Sequence, residues 1–388
     1  MKIAILTSGI MPVPAVQGGA VENLIDFYLE YNDKHQLHDI TVYSVWHPKV
    51  EHHPALQSKA NRYIFIKTDT WWTKLKKRLY RHAHNKGYYH SSIEYYLCEA
   101  LRRMQRENFD IVVIENRPGF ILTASKKVKA HWVLHLHNDF LNKETKYAQE
   151  ILASYHRVIN VSGFITKQVA SINPSFKNNL TVHNAIDTDY FIHAKAANRA
   201  ELGFNDHHFI IIYSGRLTKE KGILQLIKAI KKTDLSCLRL LILGASAYGK
   251  DKSSTPFIQQ LREEAEPVKN QIIFTGYVDY QQVPAYLKMS DLAVVPSVWE
   301  EPFGLTVVEA MAAGLPLITT RSGGIPEICE GAAIIIEKEH LVDHLSEAIL
   351  ELYKHPEKRK AMAEASLKRS KLFDKETYAK NFFAALES

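Results

Sequence analysis

Cysteine is scarce. Cys98, Cys237 and Cys329 are the only three in 388 residues, and none forms a C-x-x-C pair or a Cys/His metal spacing. That argues against both a disulfide framework and a zinc site, and fits a reducing cytoplasm. Long apolar runs are missing too. The opening KIAILTSGI reads as a buried strand, too short for a spanning helix and without a small-residue cleavage site. No low-complexity tract or short-period repeat interrupts the chain. LTSGIMPVPAVQGGA lacks the G-x-G-x-x-G expected after the first strand of a nicotinamide dehydrogenase. Only one segment mixes basic and aromatic residues, so a nucleic-acid groove is not expected.

A hydrophobic content of 46% and a charged content of 23% are globular values, and the length suits two domains. Short apolar runs (KIAIL, DIVVIE, HWVLHLH, RVINVS, FIIIYSG, RLLILG, QIIFTG, LAVVPS, LPLITT) alternate with amphipathic stretches such as VENLIDFYLEY, IEYYLCEALRRM, ILQLIKAIKK and FIQQLREEA. Strands apolar on both faces and separated by helices imply parallel sheets, hence an α/β fold. The pattern occurs twice, which predicts a first domain over 1–190 and a second over 191–373. A closing helix over about 374–388 can pack on either domain, the first being the one chosen.

The net charge of +7 permits an anionic partner without selecting one. From 71 to 84, WWTKLKKRLYRHAH carries Lys74, Lys76, Lys77, Arg78 and Arg81 with no acid, beside Trp71 and Trp72. As a helix it suits an anionic bilayer, or else it is a solvated basic helix packed on its own domain.

Two motifs point to chemistry. Strand FIIIYSG runs into GRLTKEKG and then a helix, so Gly215 lets backbone amides approach an anion, Arg216 can grip phosphate oxygens in a fork, and Lys221 adds a point charge. The alternative is a solvated surface turn. In EEPFGLTVVEAMAAGLP, Glu301 lies before a turn and Glu309 on the following helix, among Ala310, Met311 and Ala312. A carboxylate there is costly to bury without hydrogen bonds, and a vicinal diol offers two donors to its two oxygens. Pairing with a buried basic residue is the competing reading for Glu309.

GRLTKEKG followed by GYVDYQQVPAYLKMSDLAVVPSVWEEPFGLTVVEAMAAGLPLITTRSGGIPEI resembles the retaining glycosyltransferases of family 4, the group 1 glycosyl transferases of GT-B type. The resemblance is close in the second half and scattered in the first. It implies two Rossmann-like domains whose parallel sheets face a central cleft. It also implies a nucleotide diphosphate sugar as donor, UDP-sugar first and GDP-mannose next. No cofactor and no metal are expected. By resemblance Glu309 binds the ribose hydroxyls and Glu301 the transferred sugar. Phe303, Gly304 and Leu305 bring the helix start to sugar or phosphate, Arg216 and Lys221 hold the diphosphate, and Tyr277 and Val278 meet the base. Ser322, Gly323 and Gly324 form a turn toward the cleft or a plain connection.

In the first half, Gly18 and Gly19 match the family's Gly-Gly loop, and His137 matches its histidine near the transferred sugar. His135 points to the same side of a regular strand. Arg117 is a candidate for acceptor or donor contact. Asn184 and Asp187 match N-G-x-D at the domain join, with Ala185 in place of glycine. The string Asp187-Thr188-Asp189 has a D-x-D pattern found in metal sites, but its linker position speaks against that role. The resemblance further implies that the acceptor attacks from the face the diphosphate leaves, with a phosphate oxygen taking its proton. The acceptor implied is a glycan or polyprenyl-linked glycan of the cell surface, with the basic segment holding a cytoplasmic protein at the inner face of the membrane. A nucleotide-sugar epimerase, a phosphorylase or a non-catalytic nucleotide-sugar-binding protein on the same fold is the alternative.

Overall fold

The computed structural model describes residues 1–74, 88–245 and 255–388. The chain divides into two compact units, Met1–Asn184 with Lys375–Ser388, and Ala185–Asp374. Lys76, Lys77, Arg78 and Arg81 lie outside the described residues. Trp71, Trp72 and Lys74 are described and exposed, and the two indole rings meet edge to face at 4.3 Å.

The first unit holds a seven-stranded parallel sheet of β1 (Lys2–Leu6), β2 (Asp39–Val45), β3 (Asn61–Ile66), β4 (Ile111–Glu115), β5 (His131–Leu136), β6 (Arg157–Asn160) and β7 (Asn179–Thr181), in the order β3-β2-β1-β4-β5-β6-β7. The order reverses at β1 and β4, where ligands of doubly wound sheets collect beyond the strand ends. Strands β2, β3 and β7 escape the apolar-run reading for physical reasons. Thr41 and Ser44 interrupt β2 yet are fully buried, Ser44 accepting the Val13 amide at 2.8 Å. Strands β3 and β7 are the sheet's edges, where one flank stays half-exposed.

The closing helix, Lys375–Glu387, belongs to this first unit. Phe382 stacks on Tyr28 at 4.2 Å, and Arg157 donates to the Ala385 and Leu386 carbonyls, which satisfies carbonyls left open at a helix end. The join between the units falls after Asn184 rather than at 190. Asp187 caps the helix Thr188–Ile192 by accepting the Tyr190 amide, and that helix packs against Leu305–Ala312 of the second unit.

The second unit repeats the plan with β8 (Phe209–Ser214), β9 (Leu238–Leu243), β10 (Ile272–Gly276), β11 (Leu292–Val295), β12 (Leu317–Thr320) and β13 (Ile334–Ile336), all parallel, in the order β10-β9-β8-β11-β12-β13. Its core is aliphatic: Ile211, Leu226, Ile227, Leu240, Ile242, Leu292 and Ile318 are essentially without exposure. The reversal at β8 and β11 sets GRLTKEKG and the Glu301 loop side by side. Among the described residues no helix is long and apolar enough to cross a membrane.

Candidate functional site

In the second unit, β8 delivers the chain to Gly215 and Arg216. Arg216 is exposed and in no ion pair among the described residues, while its carbonyl accepts the Tyr213 hydroxyl at 2.7 Å. Gly222 ends the turn with φ +69°, where a Cβ would lie 1.8 Å from the Pro296 carbonyl oxygen. Only glycine lets helix Ile223–Thr233 start against the end of β11.

Lys221 and Glu301, which the resemblance assigns to different parts of a donor, meet each other. Lys221 Nζ lies 2.6 Å from Glu301 Oε1, and Ser297 Oγ donates to the same oxygen at 2.5 Å. Glu301 is buried and Lys221 sits 5.3 Å from the Trp299 ring centre. The Ser322–Gly324 turn clamps this loop. Gly323 (φ +52°) comes so near that a Cβ would stand 2.2 Å from the Glu301 carbonyl oxygen, which accepts the Gly324 amide at 2.8 Å.

Helix Leu305–Ala312 starts at Gly304, whose φ of +108° turns the chain out of the Pro-Phe-Gly corner. Phe303 is buried edge to face on Phe373, 5.8 Å between centroids, so its ring is core and only its backbone can serve a ligand. Leu305 and Val278 are half-buried and Tyr277 is exposed. One helical turn on, Glu309 is buried among Ala310, Met311 and Ala312. Burial pushes its carboxyl up to about 7, opposed by a hydrogen bond from the Tyr280 hydroxyl. The Tyr280 hydroxyl is in turn raised, first by burial and then by Glu309. No basic side chain pairs with Glu309 among the described residues.

In the first unit, Gly18 (φ +75°) and Gly19 (φ +110°) lead from the loop after β1 into helix Ala20–His35. Asp26 of that helix accepts the Ala15 amide at 2.8 Å and holds the loop down. Arg117 follows β4, half-buried, donating from Nε to the Ser8 carbonyl at 3.2 Å and lying 5.3 Å from the Tyr89 ring centre. The parallel register sets Glu115 opposite His135. Glu115 Oε2 is 2.9 Å from His137 Nε2, His135 Nδ1 is 3.1 Å from the same oxygen, and the Tyr28 hydroxyl donates to Oε1 at 2.9 Å. All four side chains are buried. His135 is enclosed by Phe382, at 5.0 Å between ring centres, and Tyr378; His137, one pleat on, neighbours Asn184.

Burial would raise the Glu115 carboxyl, yet the two histidines, His135 first, hold it down at about 2. Burial and then His135 push His137 down to about 4, against Glu115 and Asn184. Among the described residues Glu115, His135 and His137 are the one trio of possible metal ligands, their ligand atoms within 4.8 Å of one another, but the facing nitrogens already bond the carboxylate. The Asp187-Thr188-Asp189 string is occupied otherwise: Asp187 caps a helix and Thr188 donates to Asp374 at 2.6 Å. Ala185 is buried without the positive φ that glycine would permit.

Sequence reasoning passed over Glu115, Tyr280 and Ser297. For Glu115 a signal existed, an acid closing the apolar run DIVVIE, the same oddity that draws attention to Glu309. Tyr280 and Ser297 carry no such mark, because their meaning depends on residues 29 and 4 positions away.

Residues 194–369 match the family model of glycosyl transferases group 1, and that stretch contains the whole phosphate turn and both acids. The chain has the GT-B fold, and its second unit matches the group 1 glycosyl transferases. It is 26% identical over 365 residues to the putative glycosyltransferase YtcC of Bacillus subtilis (strain 168), covering 90% of this chain and 82% of the relative. It is also 26% identical over 383 residues to spore coat protein SA of the same organism, covering 94% and 93%. Among solved structures, that of Anabaena HepE in complex with UDP and glucose matches the whole of both chains with a TM-score of 0.74 at 19% identity, a likeness of fold.

Proposed function

We propose that the protein moves a hexose or N-acetylhexosamine from a nucleotide diphosphate sugar to a hydroxyl of a glycan or lipid-linked glycan, with retention of configuration and without a metal. The observation that carries this is Glu309: a buried carboxylate at the end of one helical turn, with a single hydroxyl donor among the described residues where two oxygens could accept several. A ribose diol would supply the missing donors. The UDP in the HepE complex favours UDP-sugars, with GDP-mannose the next choice.

In this reading Arg216 and Lys221 bind the diphosphate, helped by the start of helix Leu305–Ala312. Lys221 would then be shared with Glu301, which turns to the sugar; within the first unit, His137 is the residue taken to contact a sugar. The acceptor oxygen forms its bond to the anomeric carbon as the bond to the diphosphate breaks, and the acceptor proton passes to a phosphate oxygen. Gly18 and Gly19 serve donor phosphate or acceptor, Arg117 either substrate, and Tyr277 and Val278 the base. The exposed Trp71 and Trp72, with Lys74 and the basic residues that follow, suit an anionic membrane surface at the inner face of the cell membrane, where a polyprenyl-linked acceptor would lie.

A binding and turnover screen tests this: wild type, Glu309→Ala and Arg216→Ala against UDP-glucose, UDP-galactose, UDP-N-acetylglucosamine and GDP-mannose, with metal chelated. One donor should bind tightly, and both substitutions should weaken it by about 10–1,000-fold, the worth of one to two charge-assisted hydrogen bonds. Binding indifferent to both substitutions would refute the site; an acceptor-independent change in donor configuration would make the protein an epimerase.

A further inference from the structure

Around Glu115 every donor can be counted. The carboxylate has no proton to give, so each group within hydrogen-bond reach must donate to it. The Tyr28 hydroxyl donates to Oε1 at 2.9 Å, and His137 Nε2, 2.9 Å from Oε2, must carry a hydrogen. His135 Nδ1, 3.1–3.2 Å from the two oxygens, must do the same. A neutral imidazole has one N–H, so the other nitrogen of His137, Nδ1, is left with a lone pair. It is buried with no hydrogen bond of standard geometry, beside Asn184, whose Oδ1 likewise lacks a partner.

We propose that Glu115 is a positioning residue that holds the His137 ring as its Nε2–H tautomer, so that Nδ1 serves as an acceptor for a substrate hydroxyl. Its part in catalysis rests on the sugar-transfer reading above; the tautomer does not. Within that reading His137 is neither a cation for the diphosphate nor a proton donor. It selects a ligand atom that brings its own hydrogen, such as a sugar hydroxyl.

The surroundings agree with a neutral ring. The titratable groups facing the cluster are Tyr28 from helix Ala20–His35, Tyr378 from the closing helix and His135 from β5, with Glu22 and Arg117 farther off. Both tyrosines are buried and pushed up, so neither brings a charge. Electrostatically His137 faces His135, which with burial favours the neutral ring, and the Glu115 carboxylate, already shared among three donors. A metal ion is a poorer account, because it would displace both histidine protons from a carboxylate that they and Tyr28 saturate.

Nitrogen NMR of histidine-labelled full-length protein, without any donor, decides the tautomer. Between pH 6 and 8, His137 should show a protonated Nε2 and an unprotonated Nδ1. In Glu115→Gln the amide offers an acceptor to one histidine N–H and sets its own N–H₂ against the other, so a ring must switch and the pure Nε2–H signature of His137 should be lost. Sugar transfer should then fall about 10–100-fold in kcat, the usual cost of removing an orienting partner, with nucleotide binding unchanged. In a His137→Ala background the same change should cost less than about 3-fold. A proton on Nδ1 in wild type, a pure Nε2–H signature surviving in Glu115→Gln, or stoichiometric zinc in the purified protein would each overturn the inference. If wild type turns over no sugar, the transfer reading fails alone, since the resonances judge the tautomer without substrate.

Discussion

Glu115, at the end of β4, and Glu309, on helix Leu305–Ala312, are both buried carboxylates, yet one is held down at about 2 and the other pushed up to about 7. Burial acts on both in the same direction. The difference is what opposes burial: around Glu115, His135 first through its charge and then both histidines through hydrogen bonds, with Tyr28 donating as well; at Glu309, among the described residues, the Tyr280 hydroxyl alone. A saturated carboxylate is a fixture that orients what surrounds it. An undersupplied one is a place where a ligand's hydroxyls have the most to add, because they relieve the cost of burying a carboxylate short of donors.

Matched Tyr→Phe changes test that contrast. Tyr28→Phe leaves an ionised, enclosed Glu115 short of one donor while keeping the stack on Phe382, and should cost about 1–3 kcal/mol of stability in denaturant unfolding. If stability moved by less than about 0.5 kcal/mol, Glu115 would not depend on its third donor and the comparison would lose its basis.

A smaller effect separates the units without substitution. His137 is lowered from 6.5 to about 4, so its native form binds fewer protons than the unfolded one, and the stability it gives above about 6.5 is lost as pH falls toward 4. Glu115, lowered from 4.5 to about 2, adds a loss below about 4.5. Glu309, raised from 4.5 to about 7, has the opposite sign: its penalty is full above 7 and is relieved as pH falls toward 4.5. Each group can contribute at most about 1.4 kcal/mol per pH unit. Amide hydrogen exchange between pH 7 and 5 should therefore show β5 losing protection relative to β12. Equal loss in both units would show that other groups govern the acid response.

The alternation of apolar strands with helices, the glycine turn after β8 and the spacing of Glu301 and Glu309 were all legible, because each lies within one short stretch whose residue types carry the meaning. What escaped depends on register between distant segments. Glu115 and His135 meet because β4 and β5 are neighbours in the sheet, and Lys221 and Glu301 meet because β8 and β11 flank the reversal. No property of either residue announces its partner. The closing helix is similar: its apolar face shows that it packs, whereas Tyr28, His135 and Arg157 decide where.

The smallest predicted effect bears on Glu309 most directly. Tyr280 is 46% exposed and reaches Glu309 with its hydroxyl, so water can take the place of the lost donor and Tyr280→Phe should cost no more than about 1 kcal/mol of stability. Its effect on UDP has a sign that discriminates. If the hydroxyl stands where a ribose hydroxyl would go, removing it frees a Glu309 oxygen, and UDP should bind about 2–10-fold tighter in calorimetry at pH 8, the worth of one modest hydrogen bond no longer displaced. If UDP binds more weakly, Tyr280 keeps its bond to one carboxylate oxygen while the ligand takes the other. The undersupplied carboxylate would then be completed by protein and ligand together.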